Sequence, residues 1–224
     1  MEPGSDQTAQ GSEGPQMIMQ RLCAATACAS ALLIAGCGGK ILYPHYYTLD
    51  IPPAPRAAVT GPLMSMTVAV RRFETPSYLR QGRIVYRPAP AEIGFYEYHR
   101  WVTDPSEMVT SAVMDSLRAS HLFSFVKRYD GQGQNEYIMG GRLERLEEID
   151  SAEGVRVVVR LSADLMDFRT GAVVWAGAEG ETLAVDTRNV NSVVTEMSRA
   201  VEKSIDGLVA SLRQRLPENS QVVR

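Results

Sequence analysis

The chain has 224 residues, 45% of them apolar and 22% charged, with 23 Lys and Arg against 26 Asp and Glu. That composition is ordinary for a globular protein and argues against wholesale disorder, while the slight acidic excess argues against a nucleic-acid binder. The three cysteines, Cys23, Cys28 and Cys37, all lie in the first 37 residues, so no disulfide framework holds the body, and three scattered histidines (His45, His99, His121) point to no metal cluster and no cofactor.

The first 36 residues read as a leader. Arg21 supplies a minimal positive region, and Leu22 to Ile34 forms an uncharged run rich in Ala and Leu. That run is short of the roughly 20 residues a membrane-spanning helix needs but matches the roughly 7–15 of a signal sequence. Ile34-Ala35-Gly36-Cys37 then resembles a bacterial lipoprotein box. The residue types suit the chemistry, because only a thiol forms the thioether to a diacylglyceryl group, and small residues ahead of it admit the peptidase. Cleavage between Gly36 and Cys37 leaves the lipidated cysteine as the first residue. Residues 1–16 carry Glu2, Asp6 and Glu13 and no basic residue, which suits a signal peptide poorly; translation starting at Met17 or Met19 is expected instead. Loss of residues 1–36 leaves 188 residues with 22 basic and 23 acidic groups, one acylated thiol and a body held by packing alone.

Residues 37–42 read as a tether, and residues 43–216 as one domain. Tyr43 to Leu49 is aromatic and β-prone, with Pro44 marking an edge strand. A proline-rich loop follows to Pro62. Met64 to Phe73 alternates, with Met64, Met66, Val68 and Val70 on one face, and predicts a core strand. Gly82–Arg87 and Glu92–His99 read as two short strands around Pro88-Ala89-Pro90. Asp104 as cap, Pro105 in the first turn and Glu107 three residues after the cap predict a helix over about 104–120, with Met108, Val109, Ala112, Val113 and Leu117 as its apolar stripe. Phe123–Val126, Tyr137–Ile149 and Val155–Phe168 read as strands, the last two joined by a hairpin turn at 150–154. Arg169-Thr170-Gly171 turns the chain into Ala172–Trp175. From Val190 to Leu216 apolar residues recur every three or four positions, predicting a long amphipathic helix that Pro217 ends, with 217–224 a polar tail. The order implies an α+β domain, a mostly antiparallel sheet covered by two helices.

No catalytic constellation is visible: the chain lacks a nucleophile elbow, a phosphate-binding loop and zinc-binding spacings. His99 has no visible acid–base partner. Glu144, Glu147 and Glu148 read as a solvated strand end rather than a carboxylate pair. The aromatics Tyr86, Phe95, Tyr98 and Trp101, with Tyr96 among them, are candidates for a partner or lipid surface, against core packing as the plainer reading.

In succession, the lipobox at Cys37, Tyr46-Tyr-Thr-Leu49, Pro76-Ser-Tyr-Leu79, Ile84-Val-Tyr-Arg87, Trp101, and Leu165-Met-Asp167 with Thr170-Gly171 and Trp175 resemble the ABC-type transport auxiliary lipoprotein family, which includes the paraquat-inducible protein C group. Arg80-Gln81 departs from it, standing where an Asp-Arg pair is expected. The resemblance implies a non-enzymatic accessory lipoprotein working beside importers with MCE (mammalian cell entry) subunits, a permease and an ATPase, on phospholipid or other hydrophobic cargo. It implies an anchor in the inner leaflet of the outer membrane, facing the periplasm, since Gly38 stands where Asp is the usual inner-membrane retention signal. A homo-oligomer is left open. The alternative is an envelope-assembly lipoprotein serving lipopolysaccharide or peptidoglycan machinery.

Overall fold

The computed structural model describes residues 42–52, 64–132 and 135–219, without the side chains of 64–65 and 217–219. The chain divides into two units, Met1–Tyr43 and Pro44–Arg224, and every element below belongs to the second. Gly36, Cys37, most of the tether, most of the proline-rich loop and residues 220–224 lie outside the described residues.

The elements in order are β1 (His45–Tyr47), β2 (Met64–Val70), a 3-10 helix (Ser77–Gln81), β3 (Arg83–Ala89), β4 (Glu92–Trp101), α1 (Pro105–Ser120), β5 (Phe123–Arg128), β6 (Tyr137–Ser151), β7 (Gly154–Asp167), β8 (Val173–Val185) and α2 (Val190–Asn219). The fold is α+β. Its sheet is built on β6, whose one edge carries β7 and then β8 as a long antiparallel meander. The other edge of β6 is shared. Its first residues pair in parallel with β2, beyond which lies β5, and Glu148 and Ile149 pair in parallel with Tyr86 and Arg87 of β3. Beyond β3 come β4, antiparallel, and β1 at the edge, parallel to β4.

Both helices cover one face. The alternation of β7 sets Val155, Val157, Val159 and Leu161 against Met197, Val201, Ile205, Leu208 and Leu212 of α2, all within one buried cluster. Asp104 caps α1 by accepting the Ser106 N–H at 2.9 Å, and Pro105 opens the helix. Glu107 does not complete a capping box; its carboxylate pairs with Arg128 and lies 3.7 Å from Arg72. Arg213 of α2 donates to the Ser120 carbonyl, satisfying one of the acceptors that the end of α1 leaves open. The α2 cap is Asn189, whose side chain accepts from the Ser192 N–H.

Three details correct the sequence reading. Met66 is exposed and Ala69 is fully buried, because β2 has neighbours on both edges and packs on both faces at Val68–Val70. β8 runs ten residues beyond Trp175, through Ala176-Gly-Ala-Glu-Gly180, where propensity gives no strand signal but the long β7 ladder imposes one. α2 continues to Asn219, past Pro217.

Candidate functional site

Among the described residues no three His, Cys, Asp or Glu side chains converge as a metal site, and no helix is long and apolar enough to cross a membrane. The sites that remain are side-chain clusters on the two faces of the sheet.

The four aromatics that are candidates for a partner surface lie in different settings. Trp101 is 5% exposed and part of the core, opposite Tyr47 of β1. Tyr86 pairs with Gly94 and Phe95 pairs with Val85, so alternation sends their rings to opposite faces of the β3–β4 hairpin. The Tyr86 ring occupies the space above Gly94, where a Cβ would lie 2.3 Å from it. Tyr86, Phe95 and Tyr98 are each half-buried, and the charge of the neighbouring Glu97 pushes the Tyr98 phenol up. The aromatic pattern was legible in the sequence, but the bulges between Arg83 and Val85 and between Tyr86 and Ala89, which reset the faces, were not.

The helix face of this hairpin instead gathers Tyr86, Tyr96, His99, His45 and Tyr47. Tyr86 and Tyr96 have ring centroids 5.1 Å apart, Tyr96 meets His99 edge-on at 5.5 Å, and His45 stacks on His99 at 5.4 Å. His99 has a partner after all: the Tyr47 hydroxyl lies 2.8 Å from Nδ1. Burial, and then the neighbouring His45, push the His99 pKa down, which favours the neutral imidazole. The Tyr96 hydroxyl donates to Glu148 Oε2 at 2.8 Å, and burial pushes both groups up.

Glu147 and Glu148 are therefore not a solvated strand end. Both are buried, because this stretch of β6 is flanked by β3 and β7. They point to opposite faces and do not act as a carboxylate pair. Glu148 shares the helix face with Val157, whereas Glu147 lies on the open face between the guanidinium groups of Arg87, at 3.1 Å, and Arg145. Arg145 is a local partner, but Arg87 of β3 and the Tyr96 partner of Glu148 on β4 come from 60 and 52 residues earlier, and the burial they bring has no local signal in the sequence.

The open face, opposite the helices, is rich in arginine. Alternation places Arg156 and Arg160 of β7 there, Arg142 and Arg145 of β6, and Arg87 of β3. Arg160 pairs with Glu144 at 3.0 Å and Arg156 with Glu153 at 3.9 Å. The exposed positions of β8 on this face are small: Ala176, Ala178, Gly180, Thr182 and Ala184. Two grooves result. One, of about 670 Å³, runs between Arg71, Arg72 and Arg142, with Glu74 and Asp164 also on its walls, over a floor that includes Gly140, Ala176 and Ala178. The other, of about 650 Å³, lies between Arg87, Arg145 and Arg156 beside Pro88 and Pro90. Charged rims over small residues suit the reception of an anionic or amphipathic surface; they place no acid, base and nucleophile together for bond cleavage.

A family model described as the ABC-type transport auxiliary lipoprotein component matches residues 47–216. The fold is similar to a crystal structure of protein XCC0632 from Xanthomonas campestris, 18% identical, covering 80% of this chain and 99% of that one, with a TM-score of 0.71. A second crystal structure, of an uncharacterized protein, is 12% identical over 76% of this chain and 99% of that one, with a TM-score of 0.60. No curated protein matches the sequence.

Proposed function

Since the chain belongs to the ABC-type transport auxiliary lipoprotein component family, we propose that it is the non-catalytic accessory lipoprotein of an MCE-type transport system for phospholipid or another hydrophobic cargo. The observation that carries this reading is the extent of the family match, residues 47–216, which takes in almost all of the folded body. The rest of the proposal follows the chain outward from that body. Cys37, freed by cleavage after Gly36 and diacylated, anchors the domain, and Gly38 directs it to the inner leaflet of the outer membrane with the domain in the periplasm. Stable anchoring takes two acyl chains, at about 0.8 kcal/mol per buried methylene, and a diacylglyceryl cysteine supplies both.

In this role the domain binds and positions rather than transforms. The helix face is closed by packing, so its partners, the MCE and permease or ATPase subunits, meet the open arginine face and the hairpin end at Tyr98. Purification of the full-length protein from detergent-solubilised membranes tests the reading: MCE-domain and permease subunits are expected with it. Recovery with a β-barrel assembly or a penicillin-binding protein instead would make it an envelope-assembly lipoprotein.

A further inference from the structure

Three side chains lie in line on the open face at the β1–β4–β3 edge: Tyr46 opposite Arg100, and Arg100 opposite Arg83. The next residue along, Tyr47, pairs with the buried Trp101, which fixes Tyr46 and Arg100 on the side away from the helices. Like charges directly opposite one another across an antiparallel pair are destabilising. Elsewhere on this face Glu147 answers Arg87 and Arg145, Glu144 answers Arg160 and Glu153 answers Arg156. Arg142 has no ion pair among the described residues but stands opposite Ser162 rather than another arginine. Arg83 and Arg100 have no carboxylate within ion-pair distance among the described residues, and the Nε of Arg100 is buried with no hydrogen-bond partner among them. A buried donor left without an acceptor costs free energy on top of the repulsion. Both costs are offset if an anion bridges the two guanidinium groups.

We propose that Arg83 and Arg100 hold the phosphate of an anionic phospholipid in the bilayer to which the chain is tethered. The guanidinium fork matches phosphate oxygens two at a time, which a point charge does not. Tyr46, 63% exposed beside them, has the amphipathic ring that settles at headgroup level. Chain length selects a lipid over an acidic peptide. β1 begins eight residues after Cys37, a span of at most about 29 Å when fully extended. A site so tethered sees headgroups at an effective concentration in the millimolar range, where two arginines suffice. The inference rests on the lipid anchor at Cys37, and it assigns the folded domain itself a membrane contact.

The test couples the mature chain through the Cys37 thiol to a maleimide lipid, so that it holds whether or not cells acylate that cysteine. Phenylglyoxal modification of each arginine is then followed by peptide mass spectrometry on vesicles of phosphatidylglycerol with phosphatidylcholine, and on phosphatidylcholine alone. Phosphatidylglycerol should slow Arg83 and Arg100 about fivefold, the Boltzmann weight of one basic side chain's attraction to an anionic bilayer. Arg142, exposed on β6 of the same face, should keep its rate. Arg100→Gln should restore fast modification of Arg83. Unchanged rates overturn the proposal, as does equal slowing of Arg142, which would mean unspecific adsorption. Equal protection of the uncoupled chain by inorganic phosphate would make the ligand a free anion, and protection only on adding transporter subunits would make it a protein. Intact-mass analysis of the chain made in cells tests the anchor separately, and a bare Cys37 there would refute the anchor without changing the vesicle result.

Discussion

Glu148 is a carboxyl group 3% exposed on the helix face of the sheet, with one hydroxyl, that of Tyr96, as its hydrogen-bond partner. Its neighbour Glu147 is buried more completely but has two guanidinium groups on it, so the charge there is compensated. Glu148 is compensated far less. Burial pushes its pKa up against the pull of the Tyr96 hydroxyl. In the unfolded chain a glutamate releases its proton near pH 4.3, whereas the folded protein keeps this one to higher pH. Between the two values the folded state binds more protons, so stability falls as pH rises from about 4.3 through the folded pKa, and the loss persists above it. Glu148→Gln removes that dependence while keeping a polar group beside Tyr96. Urea unfolding should find the variant more stable than the wild type at pH 7, with the gap narrowing as pH falls through the raised folded pKa towards about 4.3 and level below that. An unchanged gap across that range would mean that Glu148 ionises in the fold as easily as in the unfolded chain.

At the level of elements, the sheet depends on a crossing that leaves no room for a side chain. Phe73, 2% exposed, follows β2 and lays its ring over Gly141 of β6, held there by its N–H bond to the Thr110 hydroxyl of α1. A Cβ at Gly141 would lie 2.4 Å from the ring, and the neighbouring N–H bonds of Glu74 to Gly141 and of Leu143 to Glu74 fix the backbone on both sides. Gly141→Ala should therefore destabilise by about 1–3 kcal/mol, the range for overpacking a closed core, read as a shifted urea midpoint with unchanged slope. A loss below about 0.5 kcal/mol would show that the ring moves aside freely. The same crossing explains what the sequence could and could not show. Period-two alternation in β7 and three-to-four spacing in α1 and α2 are local, and they were legible with the Asp104 cap. The burial of Glu147 and Glu148, the division of β6 between β2 and β3, and the confrontation of Arg83 with Arg100 are pairings between distant segments. Each depends on register, which bulges in β4 and β6 shift by whole residues. The extension of β8 beyond Trp175 was missed for a related reason: Gly177, Glu179 and Gly180 lie close against Trp175, α2 and β7, at the expense of strand propensity.

For the molecule as a whole, the proposed anchor and the folded body lie in separate parts of the chain. The buried cluster runs from Leu49 to Leu216, and Cys37 lies twelve residues before its first member. Removing the sulfur therefore deletes no member of that cluster. It does remove the acyl chains, and what remains to hold a membrane is the open arginine face, at about 1 kcal/mol for each arginine near an anionic surface. Most of those arginines already share their charge with Glu144, Glu147 or Glu153, so the residual attraction is small and screened by salt. Cys37→Ser should accordingly move the protein from the membrane pellet to the soluble periplasmic fraction while its urea midpoint stays that of the detergent-extracted wild type. Continued sedimentation at high salt would require a second hydrophobic anchor. A lowered midpoint would mean that the segment around Cys37 contributes to the fold, and that the body is not independent of its tether.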